Sequence, residues 1–288
     1  VGFSLQVKDE GKAHKGYGAN PTQRFKDRGM DMTISMAHKV GIHKLAVPTQ
    51  GNAGDSMCEY VLAAGMEAVV SMPDNTPAPI LDRVAELART SDRFNIELVT
   101  GTIREAGILL KEKWLDKGYF SVATFQEPGW RIDGKKTMGL EIAEPKQPDD
   151  PWGLPDVVIY PTGGGTGVLG MWKAWSELEC LGLIDHFRPR VICVQAEATQ
   201  PLVRAFENNA EDTIAAEPGD TLAYGVNVPG GVGHFRVLQI IRESGGAAIA
   251  VAEKDIHETL SKVWKEKGWS ICPEGAACLA ALPQLVGG

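Results

Sequence analysis

Short apolar and β-branched runs recur along the chain, separated by longer segments whose apolar positions fall three and four apart. The runs Lys44–Thr49, Ala68–Met72, Ile96–Thr100, Phe120–Ala123, Val157–Pro161, Val191–Ala196 and Ala247–Val251 predict strands, because near-continuous apolar stretches of this length suit strands covered on both faces. Between the first two, Met57, Tyr60, Val61 and Ala64 stand at i, i+3, i+4 and i+7. That spacing is one stripe of a helix, which Gly65 ends. A second helical segment is predicted from Ile103 to Lys117, after the third strand. Strand, loop, helix and strand in succession build a parallel sheet, so the fold class expected is α/β with mainly parallel sheets.

Grouping these elements predicts two lobes, each of three layers. Residues 35–125 form a small α/β lobe, and residues 1–34 with 126–288 form a larger one. The stretch from Glu144 to Asp156, EPKQPDDPWGLPD, holds four prolines and reads as a connector or a surface loop. The sequence shows neither an internal repeat nor a low-complexity tract.

Composition narrows the function classes. The 288 residues are 43% hydrophobic and 23% charged, an ordinary globular balance. No apolar stretch approaches the roughly 20 residues that cross a bilayer, so no membrane partner is expected. A formal net charge of −8 offers no general attraction for nucleic acid. The five cysteines lack CxxC spacing, which predicts buried free thiols rather than disulfides or a metal site. The first residues, VGFSLQVKDEGKAHKG, do not follow the pattern of a secretory signal, and a cytoplasmic location is expected.

Three constellations can carry chemistry. In NPTQRFKDRG, from Asn20 to Gly29, a turn leads into a helix start where Lys26 stands among Arg24, Asp27 and Arg28. By itself this is a solvated charged face; with burial or a neighbouring cation to favour its neutral amine, Lys26 is a Schiff-base lysine. In PTQGNAGDS, from Pro48 to Ser56, a strand gives way to a helix whose first N–H groups suit a carboxylate or phosphate. The alternative there is a capping loop with Asp55 or Ser56 as cap. In YPTGGGTG, from Tyr160 to Gly167, four glycines in five positions let successive N–H groups converge on an anion. Gly165, Gly167 and Gly170 also satisfy GxGxxG, with Glu197 closing the next strand, which is a dinucleotide-site pattern.

The order of these segments resembles a known family. Pyridoxal-phosphate enzymes of the tryptophan-synthase β-subunit type, fold type II, carry NPTGSFKxRG around the Schiff-base lysine and an SGNAG-like loop after the next strand. The threonine-synthase branch is further similar to this chain at Pro128–Glu141, Tyr160–Leu178, Cys193–Ala205 and Pro273–Ala277. The resemblance implies that Lys26, with Phe25 beside it, carries pyridoxal phosphate as a Schiff base and later moves protons. It implies that Asn52 meets the cofactor's 3′-oxygen and that Gly163, Gly164, Gly165, Thr166 and Gly167 cradle its phosphate. Thr49, Gln50, Gly51, Asn52 and Ala53 would receive the substrate carboxylate, and Arg131 the substrate phosphate; a structural ion pair is the other reading of Arg131. The larger lobe would hold the cofactor, and the molecule would be a homodimer.

The activity so implied is conversion of O-phosphohomoserine and water to L-threonine and phosphate. Threonine or serine ammonia-lyase and cysteate synthase are alternatives within the cofactor group; a nicotinamide dehydrogenase and a non-catalytic relative are alternatives outside it. Departures from the pattern are Gln23 and Arg24 in place of Gly-Ser, and Gln50 and Asp55 where small residues are usual. Arg24 either adds a phosphate contact or points outward. The family also extends beyond both ends of this sequence, and its pyridine-nitrogen partner is expected in a later segment. Glu274 is a further candidate, with a helix N-terminal carboxylate as its plainer reading.

Overall fold

The computed structural model describes residues 3–14, 18–49, 51–123, 125 and 128–286. Gln50 therefore lies outside the described residues. The chain divides into two compact units, Val1–Lys135 and Lys136–Gly288.

The first unit runs α1 (Lys26–Lys39), β1 (Lys44–Pro48), α2 (Asn52–Ala63), β2 (Glu67–Pro73), α3 (Ala78–Thr90), β3 (Phe94–Val99), α4 (Ile103–Lys113) and β4 (Phe120–Ser121), and ends in the start of α5 (Trp130–Ala143). Its four-stranded sheet has the order β3-β2-β1-β4, parallel throughout. Alternation along each strand explains why helices cover both faces. Leu45, Val47, Val70 and Met72 join Met30, Ile34, Met57 and Val61 in one buried cluster, while Ala46 and Val69 join Leu110 and Tyr119 in another. The expected stripe of α2 is in place: Met57 and Val61 are fully buried, and Tyr60 and Ala64 pack against them.

Strand ends differ from expectation by a residue or two, for identifiable reasons. β3 begins earlier, at Phe94, because that ring is buried and its residue pairs with Ala68; polar Asn95 hid it in the sequence. β1 and β4 are shorter than expected, although Thr49 N–H still donates to the Ser71 carbonyl at 2.9 Å and Val122 N–H to that of Ala46 at 2.8 Å. The ladder thus continues by single bonds past the strand ends.

The second unit contains β5 (Val157–Pro161), α6 (Thr166–Cys180), β6 (Arg190–Ala196), α7 (Pro201–Glu207), α8 (His234–Glu243), β7 (Ala247–Val251), α9 (Glu253–Lys267), α10 (Pro273–Ala280) and α11 (Leu282–Val286). Its sheet is β5-β6-β7, again parallel. Ile192, Val194, Ile249 and Val251 pack with Val226, Ile256 and the small residues Ala276 and Ala277 of α10. The proline-rich stretch 144–156 lies inside this unit and is largely exposed between 146 and 151. All five cysteines are free. Cys58 and Cys193 are buried as expected, whereas Cys180 and Cys272 are exposed, the first ending α6 and the second capping α10 through its sulfur. No helix among the described residues is long and apolar enough to cross a membrane.

Candidate active site

The turn before Lys26 is shaped by its own side chains. Asp27, fully buried, accepts hydrogen bonds from Thr22 N–H at 2.7 Å and Thr22 Oγ1 at 2.9 Å. Gln23 takes a left-handed φ of 57° and donates to the Asn20 carbonyl at 2.8 Å. Asn20 in turn donates to the Glu10 carbonyl at 2.7 Å, and the Glu10 carboxylate pairs with Arg28 at 2.6 Å. Lys26 emerges as the first residue of α1, half-buried, its Nζ 4.6 Å from the Phe25 ring centroid. The ammonium of fully buried Lys135 stands 5.3 Å from the same ring. Two glycines let α1 meet the start of α5 backbone to backbone: a Cβ on Gly29 would lie 2.9 Å from the Arg131 carbonyl oxygen, and one on Gly134 would lie 2.0 Å from that of Arg28.

At the end of β1, Thr49 Oγ1 accepts from Gly51 N–H at 2.9 Å and Gly54 N–H at 3.3 Å. This leaves the hydroxyl proton as a donor. Gly51, at φ 125°, is the N-cap of α2 and has no side chain to cap it; Thr49 takes the N–H of Gly54, the third residue of the helix. Asn52 is its first residue. Neither Asp55 nor Ser56 is a cap, contrary to the capping-loop alternative. Asp55, 1% exposed, lies between two guanidinium groups, Arg24 at 2.6 Å and Arg83 at 2.7 Å; Arg83 also pairs with Glu59. Arg24 thus turns toward α2, which corrects the outward-pointing alternative. Thr76 borders the Gly51 turn, its Cγ2 3.2 Å from where a Cβ on Gly51 would sit, and its buried hydroxyl has no partner among the described residues. Arg131 is 3% exposed and donates from Nη1 to the Val122 carbonyl at 3.1 Å.

In the second unit the glycine loop closes β5 and opens α6. Gly165, at φ 80°, is the N-cap, without a side-chain cap bond. A Cβ on Gly165 would fall 2.3 Å from Val237 and one on Gly163 2.9 Å from the Gly225 carbonyl oxygen, whereas Gly164 faces open space. The first N–H groups of a 15-residue helix are therefore presented by a loop with almost no side chains.

His234 and Gln195, which sequence reasoning missed, brace this loop together with the candidate Glu274. His234, buried at the start of α8, lies with Nε2 2.8 Å from the Gly163 carbonyl oxygen and Nδ1 3.2 Å from Gly231 N–H and 3.0 Å from Thr213 Oγ1. A carbonyl accepts and an N–H donates, so Nε2 carries the proton and Nδ1 receives. Burial lowers the imidazole's proton affinity, against the opposing pull of the Gly163 carbonyl and Asp212. Buried Gln195 donates to the Thr162 carbonyl at 3.1 Å and accepts from Leu202 N–H at 2.9 Å. Glu274 accepts from Gly225 N–H at 2.7 Å and so supports the segment that touches Gly163. Exposed Glu197 makes backbone bonds to Val251 and Gln200. Among the described residues no cluster of His, Cys, Asp and Glu is placed to hold a metal ion.

Comparison with known proteins adds to this geometry. A family model described as "Pyridoxal-phosphate dependent enzyme" matches residues 15–287. The threonine synthases of Methanocaldococcus jannaschii and Methanosarcina acetivorans are each 29% identical over 272 residues, 94% of this chain. The chain spans 64% of the length of each. Among solved structures, a T.th. threonine deaminase superposes with a TM-score of 0.69 at 23% identity, covering 91% of this chain and 78% of its own. A maize serine racemase does so with a TM-score of 0.71 at 19% identity, covering 89% and 71%. These two likenesses show the fold.

Proposed function

Because the chain belongs to the pyridoxal-phosphate dependent enzymes, a family whose cofactor is pyridoxal phosphate, we propose that it is the core of a threonine synthase, forming L-threonine and phosphate from O-phosphohomoserine and water. The observation that carries the reading is in the first unit, where the start of α1 with Lys26 is tied to the start of α2 with Asn52 by the 2.6 Å Arg24–Asp55 ion pair. A reactive amine beside the N-terminus of a helix is what a carbonyl cofactor and an amino-acid carboxylate need. The likeness to the two archaeal threonine synthases supports O-phosphohomoserine as the substrate.

The residues present fit the cofactor. The glycine loop before α6 offers backbone donors with no competing side chain, and the buried Thr76 hydroxyl beside Gly51 has a donor and acceptor to offer a polar ligand. In this reading Gly163, Gly164, Gly165, Thr166 and Gly167 hold the cofactor phosphate, Asn52 holds its 3′-oxygen, and Phe25 lies beside Lys26. When bound, pyridoxal phosphate withdraws electrons from the substrate's α-carbon.

Lys26 then removes the α-proton and a β-proton; phosphate leaves from the γ-carbon, Lys26 returns one proton to that carbon and one to the α-carbon, and water gives its hydroxyl to the β-carbon and its proton to the phosphate. Thr49 and the N–H groups of residues 50–53 hold the substrate carboxylate, and Arg131 recognises its phosphate. The assignment to two lobes, 35–125 and 1–34 with 126–288, the homodimer and the cytoplasmic location belong to the same proposal.

The test is an assay of phosphate and threonine release from O-phosphohomoserine by the full-length protein with added pyridoxal phosphate, with Lys26→Ala alongside. Equal release of both products, lost in the variant, supports the reading. Cofactor absorption that depends on Lys26 without phosphate release transfers the substrate to an ammonia-lyase or cysteate-synthase reading. Absence of any such absorption overturns the role of Lys26.

A further inference from the structure

We infer that Arg24, Asp55 and Arg83 form a positioning clamp that sets the Lys26 turn against the start of α2, an inference that rests on the proposed cofactor site. The chain carries a cation at 24 and an anion at 55. Each charge taken singly is unfavourable. Asp55 is almost wholly buried, and a buried carboxylate without a partner is strongly destabilising. An arginine two residues before Lys26 adds a large charged side chain to a turn that packs on the protein. Together they neutralise each other, with Oδ2 of Asp55 2.6 Å from Arg24 Nη1 and Oδ1 2.7 Å from Arg83 Nε.

Arg83 reaches in from α3 and also pairs with Glu59 of α2, so the four charges balance. The carboxylate is consequently a junction of three segments: the Lys26 turn, the first turn of α2 and the first half of α3. The Thr22–Asp27 bonds fix the shape of the turn from within. Met30 and Ile34 pack α1 on Met57 and Val61 of α2 further along, and the Arg24–Asp55 pair ties the turn itself to the first turn of α2. Asn52 is three residues before Asp55, on the same helical turn, so the clamp sets the spacing between the amine at 26 and the amide at 52.

The experiment compares Arg24→Ser, Asp55→Ala, the double variant and Arg24→Lys in the full-length protein. Amide exchange is measured on the cofactor-free form, and cofactor affinity is read from the absorption of the Lys26-bound form. Expected for Arg24→Ser are faster exchange at residues 20–26 and 51–55 with β2 and β3 unchanged, and an affinity lower by about tenfold, the size of coupling usual between contacting charged groups. Arg24→Lys restores both, and the double variant is no worse than the poorer single one. Additive losses in the double variant, or wild-type exchange at 20–26 in Arg24→Ser, would overturn the clamp. The exchange measurement needs no cofactor, so it decides the clamp even if wild-type protein fails to take pyridoxal phosphate on Lys26, a result that would instead remove the proposed function.

Discussion

At the scale of single residues, His234 couples the glycine loop to pH. Its Nδ1 already receives the Gly231 N–H, so a second ring proton would set two donors against each other. Burial holds its folded-state proton affinity below the ordinary value of 6.5. The unfolded chain therefore binds a proton that the native state resists, and stability falls as pH drops from about 6.5 toward the lowered folded value. Above that window this group contributes no pH dependence. In His234→Gln an amide can still donate to Gly163, and the decline in urea midpoint between pH 7 and 5 should become shallower; an unchanged slope would place the titration elsewhere.

The candidate site residues were legible because they sit in ordered motifs with fixed spacing. His234 and Gln195 were not, since each acts on a loop dozens of residues away and neither has a local signal. Arg24 and Asp55 were visible only as departures. That they satisfy each other is a fact about two segments 31 positions apart.

At the scale of elements, the seven expected strands are all present, because each is a short apolar run and parallel sheets bury such runs on both faces. Helices α3, α5, α7, α8, α9 and α11 were not singled out in the sequence, although α8 buries Val237, Leu238, Ile240 and Ile241 along one face. Helices α7 and α11, at seven and five residues, are too short to show a repeating stripe, and α10 was foreseen only as a helix start carrying Glu274. The contact of α1 with the start of α5 explains two glycines that periodicity could not. Gly134→Ala forces a methyl toward the Arg28 carbonyl oxygen 2.0 Å away, and overpacking against backbone costs about 1–3 kcal/mol. Chemical denaturation should report a loss of that size. A neutral substitution would mean that α5 can slide along α1 at little cost.

At the scale of the molecule, two parallel sheets occur in two units, and the archaeal relatives are longer than this chain. The order β3-β2-β1-β4 has a consequence in time. Strand β1 pairs on one side with β2, which follows it closely, and on the other with β4, through Leu45 with Phe120 and Ala46 with Ser121. During synthesis from the N-terminus one edge of β1 therefore stays open while some seventy further residues are made, and open edges recruit other strands. Crosslinking from position 46 in stalled nascent chains should capture a chaperone until residue 121 has left the ribosome, and then cease. Persistent capture afterwards would show that β4 does not close this edge. The two-residue strand that looks least important in the finished sheet is, on the ribosome, the one that ends the chain's exposure.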